Sequence, residues 1–361
     1  MAFKRLIICC DGTWQKINLT YPTNVAKIKS AVEAVNVRDQ LVFYDPGMGT
    51  ANWFLKFFGG MFGWGLYKSV KDCYGFLCQN WEPGNEIYLF GFSRGAYTVR
   101  TFAGLLYKCG IVKNNHEKII RKAFKLYKNR HIHPDHSFAV NFRKKYSHHD
   151  PETCNRPIIN FIGCWDTVGS LGVPDLSSRF SPDKKINEKY EFHDTKISNI
   201  VQHARHAVAI DEHRRVFDFT PMILSDSAGN RGTDLNEIWF IGDHDCIGGG
   251  DKEKEPVSDI TLNWMMRELQ NLDSKLGIVF DQSKIPAIIE TNYMAPFKND
   301  TKTIHKMTDR IDRAIPSEYN KLHWTVKERL KEDGSYNPPR IKTLIQSFPE
   351  NKRPEEEEAL V

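Results

Sequence analysis

Residues 86–109 read EIYLFGFSRGAYTVRTFAGLLYKC, and this stretch limits the fold more than any other part of the chain. Pro83-Gly84-Asn85 turns the chain into an apolar run, Glu86–Phe90, that predicts a strand buried on both faces. Ala96–Cys109 carries apolar residues at helical spacing, and Gly110 follows as a stop signal. Between them, Gly91-Phe92-Ser93-Arg94-Gly95 fits G-x-S-x-G. The pentapeptide alone is common; a strand before it and a helix after it make it a nucleophile elbow. Such a turn strains the serine backbone and lifts Oγ above the sheet edge. Side chains at Gly91 and Gly95 would collide with strand and helix, hence the glycines. The helix N-terminus under the site favours an anionic tetrahedral intermediate, with the Arg94 amide as one oxyanion donor.

The rest of the chain repeats the strand–helix theme. Arg5–Cys10, Gln40–Tyr44, Pro157–Cys164 and Glu237–Ile241 are further apolar runs of strand length, and Asn24–Val35 and Ile260–Leu272 have helical spacing. The expected fold class is α/β: a three-layer, mostly parallel sheet with helices on both faces and cap or lid insertions. A single catalytic domain is expected over residues 1–345, with insertions near 51–67, 112–155 and 174–200. Residues 346–361, with Glu355–Glu358, read as a disordered acidic tail.

Apolar residues at 40% and charged residues at 26%, with mean hydropathy −0.49, exclude a disordered chain and a membrane-embedded bundle. A formal charge of +5 is too small to argue for nucleic-acid binding. Lys4 and Arg5 precede only a short uncharged run that Asp11 closes, so no cleavable signal peptide is expected. The reading is a cytoplasmic protein, with export by a signal-independent route compatible. The eight cysteines form no CxxC pair and read as buried free thiols.

A serine nucleophile needs a base, and the base an orienting acid; in α/β-hydrolases these follow in the order Ser, Asp/Glu, His. Asp166 stands just past the apolar run ending in Cys164-Trp165, and His244 follows Trp239-Phe240-Ile241 and precedes Gly248-Gly249-Gly250. The catalytic candidates are therefore Ser93, Asp166 and His244. His206, in surroundings that look helical, is the rival base and reads better as a satisfied structural histidine. Asp243 and Asp245 are too near His244 in sequence to reach the far side of its ring. Asp11-Gly12-Thr13-Trp14 closes the first strand, where the Gly12 and Thr13 amides are further oxyanion donors. Asp11 with Asp166, Asp243, His244 and Asp245 would also compose a two-metal cluster, a reading that a well-formed serine elbow makes redundant. No cofactor and no metal are expected.

Two surface segments bear on the substrate. Lys118–Asp150 holds nine Lys and Arg against two Asp, partly on a basic amphipathic helix carrying Arg121, Lys122, Lys125 and Lys128. Such a helix suits anionic lipid surfaces, or is an ordinary solvated face. Ala51–Tyr67 is rich in aromatics and glycine, and is either a greasy lid or bilayer-touching loop, or a helix packed on the core.

Taken in order, Cys10-Asp11-Gly12-Thr13-Trp14, Tyr44-Asp45-Pro46-Gly47, Gly91–Tyr97, Trp165-Asp166-Thr167-Val168-Gly169, His206-Ala207 with Asp211-Glu212, and Trp239-Phe240 leading to His244 and Gly248–Gly250 resemble the catalytic domain of type VI secretion phospholipase effectors and their relatives. The resemblance implies a triad of Ser93, Asp166 and His244, and metal-free hydrolysis of glycerophospholipid acyl esters. The sequence departs from the family pattern at Asp245-Cys246, where Ser-Asp is usual, and at His213, which interrupts a common arginine pair. The expected function is a serine hydrolase acting on a lipid, first a glycerophospholipid, with peripheral membrane contact, no nucleic acid and no identified protein partner. An esterase or thioesterase on a soluble acyl substrate, and a non-catalytic binding protein on a hydrolase frame, stay open.

Overall fold

A computed structural model of the chain describes residues 4–12, 21–35, 38–47, 62–113, 116–149, 153–169, 196–272, 277–285, 292–297, 313, 315–316, 318–338 and 341. Six strands form one sheet: β1 (Arg5–Cys10), β2 (Gln40–Asp45), β3 (Glu86–Phe92), β4 (Ile159–Trp165), β5 (Val201–Ala209) and β6 (Asp234–Phe240). All five pairings are parallel, in the order β2-β1-β3-β4-β5-β6. The helices are α1 (Asn24–Ala34), α2 (Phe62–Asn80), α3 (Arg94–Cys109), α4 (Glu117–Lys128), α5 (Ser137–Tyr146), α6 (Asp226–Arg231), α7 (His244–Gly248), α8 (Glu255–Gln270) and α9 (Trp324–Glu332).

Alternation along β1 explains the layers. Leu6, Ile8 and Cys10 face a core shared with α2, α3 and α4, while Ile7 and Cys9 face one shared with α1, α8 and α9. A parallel sheet covered on both faces needs apolar side chains in both directions, which is why its strands read as continuous apolar runs. The chain leaves β1 for β2 on one side and later returns to pair β3 on the other. The carboxyl ends of β1 and β3 therefore flank the crevice where an open α/β sheet receives its ligands.

One element departs from the sequence reading. Residues around His206 are not helical; they form β5, between β4 and β6. Its core-facing residues are mostly alanines, and its polar side chains are paired within the fold. Arg205 binds Glu268 and Asp234, and His206 binds Glu237. The cysteines differ in one place: seven are buried, and Cys154 is exposed. The aromatic stretch 51–61, residues 174–195 of the third insertion and the tail 346–361 lie outside the described residues.

Candidate active site

The candidate side chains come from three strand ends. Ser93 follows β3 and caps α3 with φ 57 and ψ −122, the strained conformation a nucleophile elbow requires. Its amide donates to the Trp165 carbonyl at 2.9 Å, which ties the turn to the end of β4. The two glycines are enforced by packing. A Cβ on Gly95 would lie 2.0 Å from the Cys10 carbonyl oxygen, and one on Gly91 2.6 Å from backbone atoms of Gly95 and Ala96.

Asp166 follows β4 with φ 38 and is completely buried. His244 opens α7, just beyond β6, with its ring between Phe92 (4.7 Å between centroids) and Phe217 (4.5 Å, stacked). The ring bridges the other two residues: Nε2 lies 2.8 Å from Ser93 Oγ, and Nδ1 2.6 Å from Asp166 Oδ2. An ionised carboxylate only accepts, so Nδ1 carries the proton and Nε2 faces the serine hydroxyl as acceptor. Gly248 explains part of the glycine run: a Cβ there would strike the Phe92 ring at 2.0 Å, so α7 closes on Phe92 only with glycine at that position.

Arg313 was not among the sequence candidates. Its guanidinium donates to both Asp166 oxygens, Nη1 to Oδ1 at 2.6 Å and Nη2 to Oδ2 at 3.0 Å. No sequence signal marks it; it lies 147 positions from its partner in a segment without periodicity. Burial works to raise the Asp166 pKa, but the Arg313 charge and the hydrogen bonds from His244 and Arg313 hold it well below the usual carboxylate range.

A charged group anchors the His244 loop from behind. Asp243 caps α7 by accepting from the Cys246 amide, and receives Lys254 Nζ at 2.6 Å. Glu212 accepts from Arg214 and from the His244 backbone amide at 3.2 Å. Asp245 lies 3.5 Å from Lys254 and 4.0 Å from Arg214. Neither Asp243 nor Asp245 touches the imidazole nitrogens, whose neighbours are Asp166 and Ser93.

His206 is a satisfied structural histidine. The Thr167 amide donates to Nε2 at 3.0 Å, so Nδ1 donates to Glu237 at 2.8 Å. This arrangement holds the backbone immediately after Asp166.

The loop after β1 packs against the nucleophile turn. Gly12 abuts Ser93, since a Cβ there would come 3.2 Å from the Ser93 Cβ. Its amide donates to Asp11 Oδ1 at 2.8 Å. Thr13 lies outside the described residues. Asp11 also accepts from Thr23 at 2.5 Å and Tyr44 at 2.9 Å. Burial outweighs those donors and pushes its pKa up to about 6. The carboxylates weighed for a two-metal cluster thus face protein donors, and among the described residues no group of three His, Cys, Asp or Glu is placed to hold a metal ion. A cavity of about 470 Å³ opens at the amino ends of β3, β4 and β5, lined by Glu86, Tyr88, Asn160 and Gln202, and does not border Ser93.

The chain matches the family described as the catalytic domain of Tle1-like type VI secretion phospholipase effectors over residues 4–268. It belongs to that family. An uncharacterized protein of Saccharomyces cerevisiae is 30% identical over 243 residues, covering 61% of this chain and 33% of the yeast protein. The chain therefore matches about a third of that relative's length. Among solved structures, an uncharacterized protein from Pseudomonas aeruginosa aligns at TM-score 0.40 and 16% identity over 79% of this chain and 47% of that one. The Tle1 effector bound to the VgrG spike aligns at 0.32 and 16% over 69% and 52%, respectively. A carboxylesterase of Lactobacillus plantarum aligns at 0.36 and 11% over 80% and 88%. At these values no activity passes from those structures to this chain.

Proposed function

We propose that the chain is a serine hydrolase that cleaves an acyl ester of a glycerophospholipid through Ser93, His244 and Asp166. The observation that carries this is the hydrogen-bonded series Ser93 Oγ–His244 Nε2–Asp166 Oδ2, at 2.8 and 2.6 Å along its two links, mounted on a strained elbow. Ser93 Oγ attacks the acyl carbonyl while His244 Nε2 takes its proton. The carbonyl oxygen becomes an oxyanion beside the Arg94 amide and the positive end of α3. Collapse breaks the ester bond; His244 returns the proton to the leaving lysolipid alcohol, and the acyl group stays on Ser93. Water, deprotonated by His244, then attacks the acyl-enzyme; the acyl–Oγ bond breaks, His244 returns the proton to Ser93 Oγ, and the fatty acid leaves. Asp166 holds the imidazole tautomer and offsets the imidazolium charge throughout.

Membership in the Tle1-like family supports the lipid substrate. So do α4 and α5, whose exposed side chains include Lys118, Arg121, Lys122, Lys125, Lys144 and Lys145, and Phe138, itself 67% exposed. A cationic patch with an exposed aromatic fits peripheral contact with anionic headgroups. Among the described residues no helix is long and apolar enough to cross a membrane. The test compares fatty-acid release from anionic vesicles, neutral vesicles and a soluble short-chain ester. The expected order is anionic above neutral, with salt suppressing only the anionic advantage. Turnover confined to the soluble ester would replace the phospholipid reading with a soluble-ester one.

A further inference from the structure

We propose that Arg313 is a positioning residue of this site, fixing the Asp166 carboxylate in the one orientation that receives the His244 imidazole. The inference rests on the function proposed above, and Arg313 lies outside the residues that match the family.

The Asp166 carboxylate takes four donors. Oδ1 accepts from the Ala209 amide (3.0 Å) and Arg313 Nη1 (2.6 Å); Oδ2 accepts from Arg313 Nη2 (3.0 Å) and His244 Nδ1 (2.6 Å). A carboxylate offers about four lone-pair sites, so this set fills them and leaves no second rotamer equally served. Arg313 is itself held. Nη1 donates to the Ala209 carbonyl at 2.9 Å, Nη2 to the Phe217 carbonyl, and the guanidinium lies over the Phe219 ring. Phe217 is also the residue stacked on His244. One guanidinium therefore orients the acid and anchors the segment that packs against the base. A planar fork does this at two points, whereas an ammonium would do it at one.

The charge has a second consequence. Around Asp166 stand His244 from α7, Arg313, Glu212 and Asp218 from the segment after β5, and His206 with Glu237 behind Thr167. Beyond His244 lie Asp243, Asp245, Arg214 and Lys254. Removing Arg313 leaves these carboxylates with fewer cations, so the Asp166–His244 pair binds a proton at higher pH. A pair that has gained that proton is inactive, because the base is occupied or its acceptor is lost.

The experiment uses the full chain with Arg313→Gln and Arg313→Lys. It measures the rate of fluorophosphonate labelling at Ser93 from pH 4.5 to 9, with circular dichroism on each sample. For Arg313→Gln, the acid limb should move up by about one pH unit or more, with partial recovery in alkali. Arg313→Lys should keep the acid limb of the parent but label roughly tenfold more slowly at the plateau, from loss of the two-point grip. A folded Arg313→Gln protein with the parental profile, or with a uniform loss and an unmoved acid limb, overturns the proposal. Should the Gln variant not fold, the Lys variant decides: a lowered plateau supports the proposal and an undiminished one overturns it. Labelling that survives Ser93→Ala would instead overturn the proposed function, whatever the Arg313 variants do.

Discussion

At the scale of single residues, the site holds two backbones in conformations that side chains rarely adopt, Ser93 at φ 57 and Asp166 at φ 38. Such strain persists only where surrounding contacts over-determine it. Gly95 is the clearest of these contacts, because backbone, not a movable side chain, fills the space where its Cβ would go. Gly95→Ala should destabilise the protein by more than about 3 kcal/mol or prevent folding, as read by urea unfolding. Gly229→Ala, in a helix and facing open space, is the control and should change stability little. The ring of Phe217 presents another single-residue test. It lies flat on the His244 imidazole, so Phe217→Leu should lower the labelling rate of Ser93 by roughly tenfold or more while the fold is retained, since small misplacements of a base are costly. Unchanged labelling would mean that the Phe92 contact alone orients the ring.

At the scale of elements, the site is an assembly of strand ends: β3 delivers Ser93, β4 Asp166 and the turn after β6 His244. α7 is the weakest of these supports, being only five residues long, and it depends on the ion pairs behind it. Lys254→Met would remove the nearer cation of the buried Asp243 and leave it only Arg214, at 3.8 Å. The expected loss is about 3–5 kcal/mol, together with slower Ser93 labelling. Stability lost without any change in labelling would show that the loop stays put without the pair. This level also shows what a single sequence reveals. β1, β3 and β4 were legible because buried parallel strands are apolar on both faces, and Ser93, Asp166 and His244 because each stands where such a run gives way to glycine or charge. β5 was not, since its alanines and its paired Arg205 and His206 carry no strand signature. Arg313 was not, because a contact between distant segments leaves no local pattern. The hydrogen bond from the Gly12 amide to the side chain of its own neighbour, Asp11, is not legible either, because only three-dimensional packing decides it.

At the scale of the whole molecule, segments beyond the family match complete the fold. Val326, Tyr336 and Ile341 join the core that α1 and α8 share with the sheet, and Arg313 reaches Asp166. Buried carboxylates give the molecule an uneven pH response. Asp11 rises to about 6 and Asp211, buried beside the Gly242 amide and Tyr336, to about 7. A carboxyl whose pKa is higher folded than unfolded keeps more protons in the native state. Its contribution to stability therefore falls as pH rises from about 4 through the folded value. Asp166 has the opposite sign: its contribution is present above about pH 4 and is lost on acidification below that. Between pH 4.5 and 7, the stability of the parent relative to Asp11→Asn should fall by about 2 kcal/mol, measured by urea unfolding at each pH. A difference that stays constant or grows would place the Asp11 pKa at or below its unfolded value.

A Ser93 activated as a nucleophile by His244 reacts with an active-site-directed phosphonylating reagent, and loses that reactivity with the imidazole. The full chain, Ser93→Ala and His244→Ala are treated with a fluorophosphonate at pH 8, and the modified peptide is identified by mass spectrometry. Stoichiometric labelling of Ser93 is expected in the parent, none in Ser93→Ala, and labelling slowed by about a thousandfold or more in His244→Ala. A folded parent that leaves Ser93 unmodified, or a His244→Ala protein that labels at the parental rate, would contradict activation of Ser93 by His244.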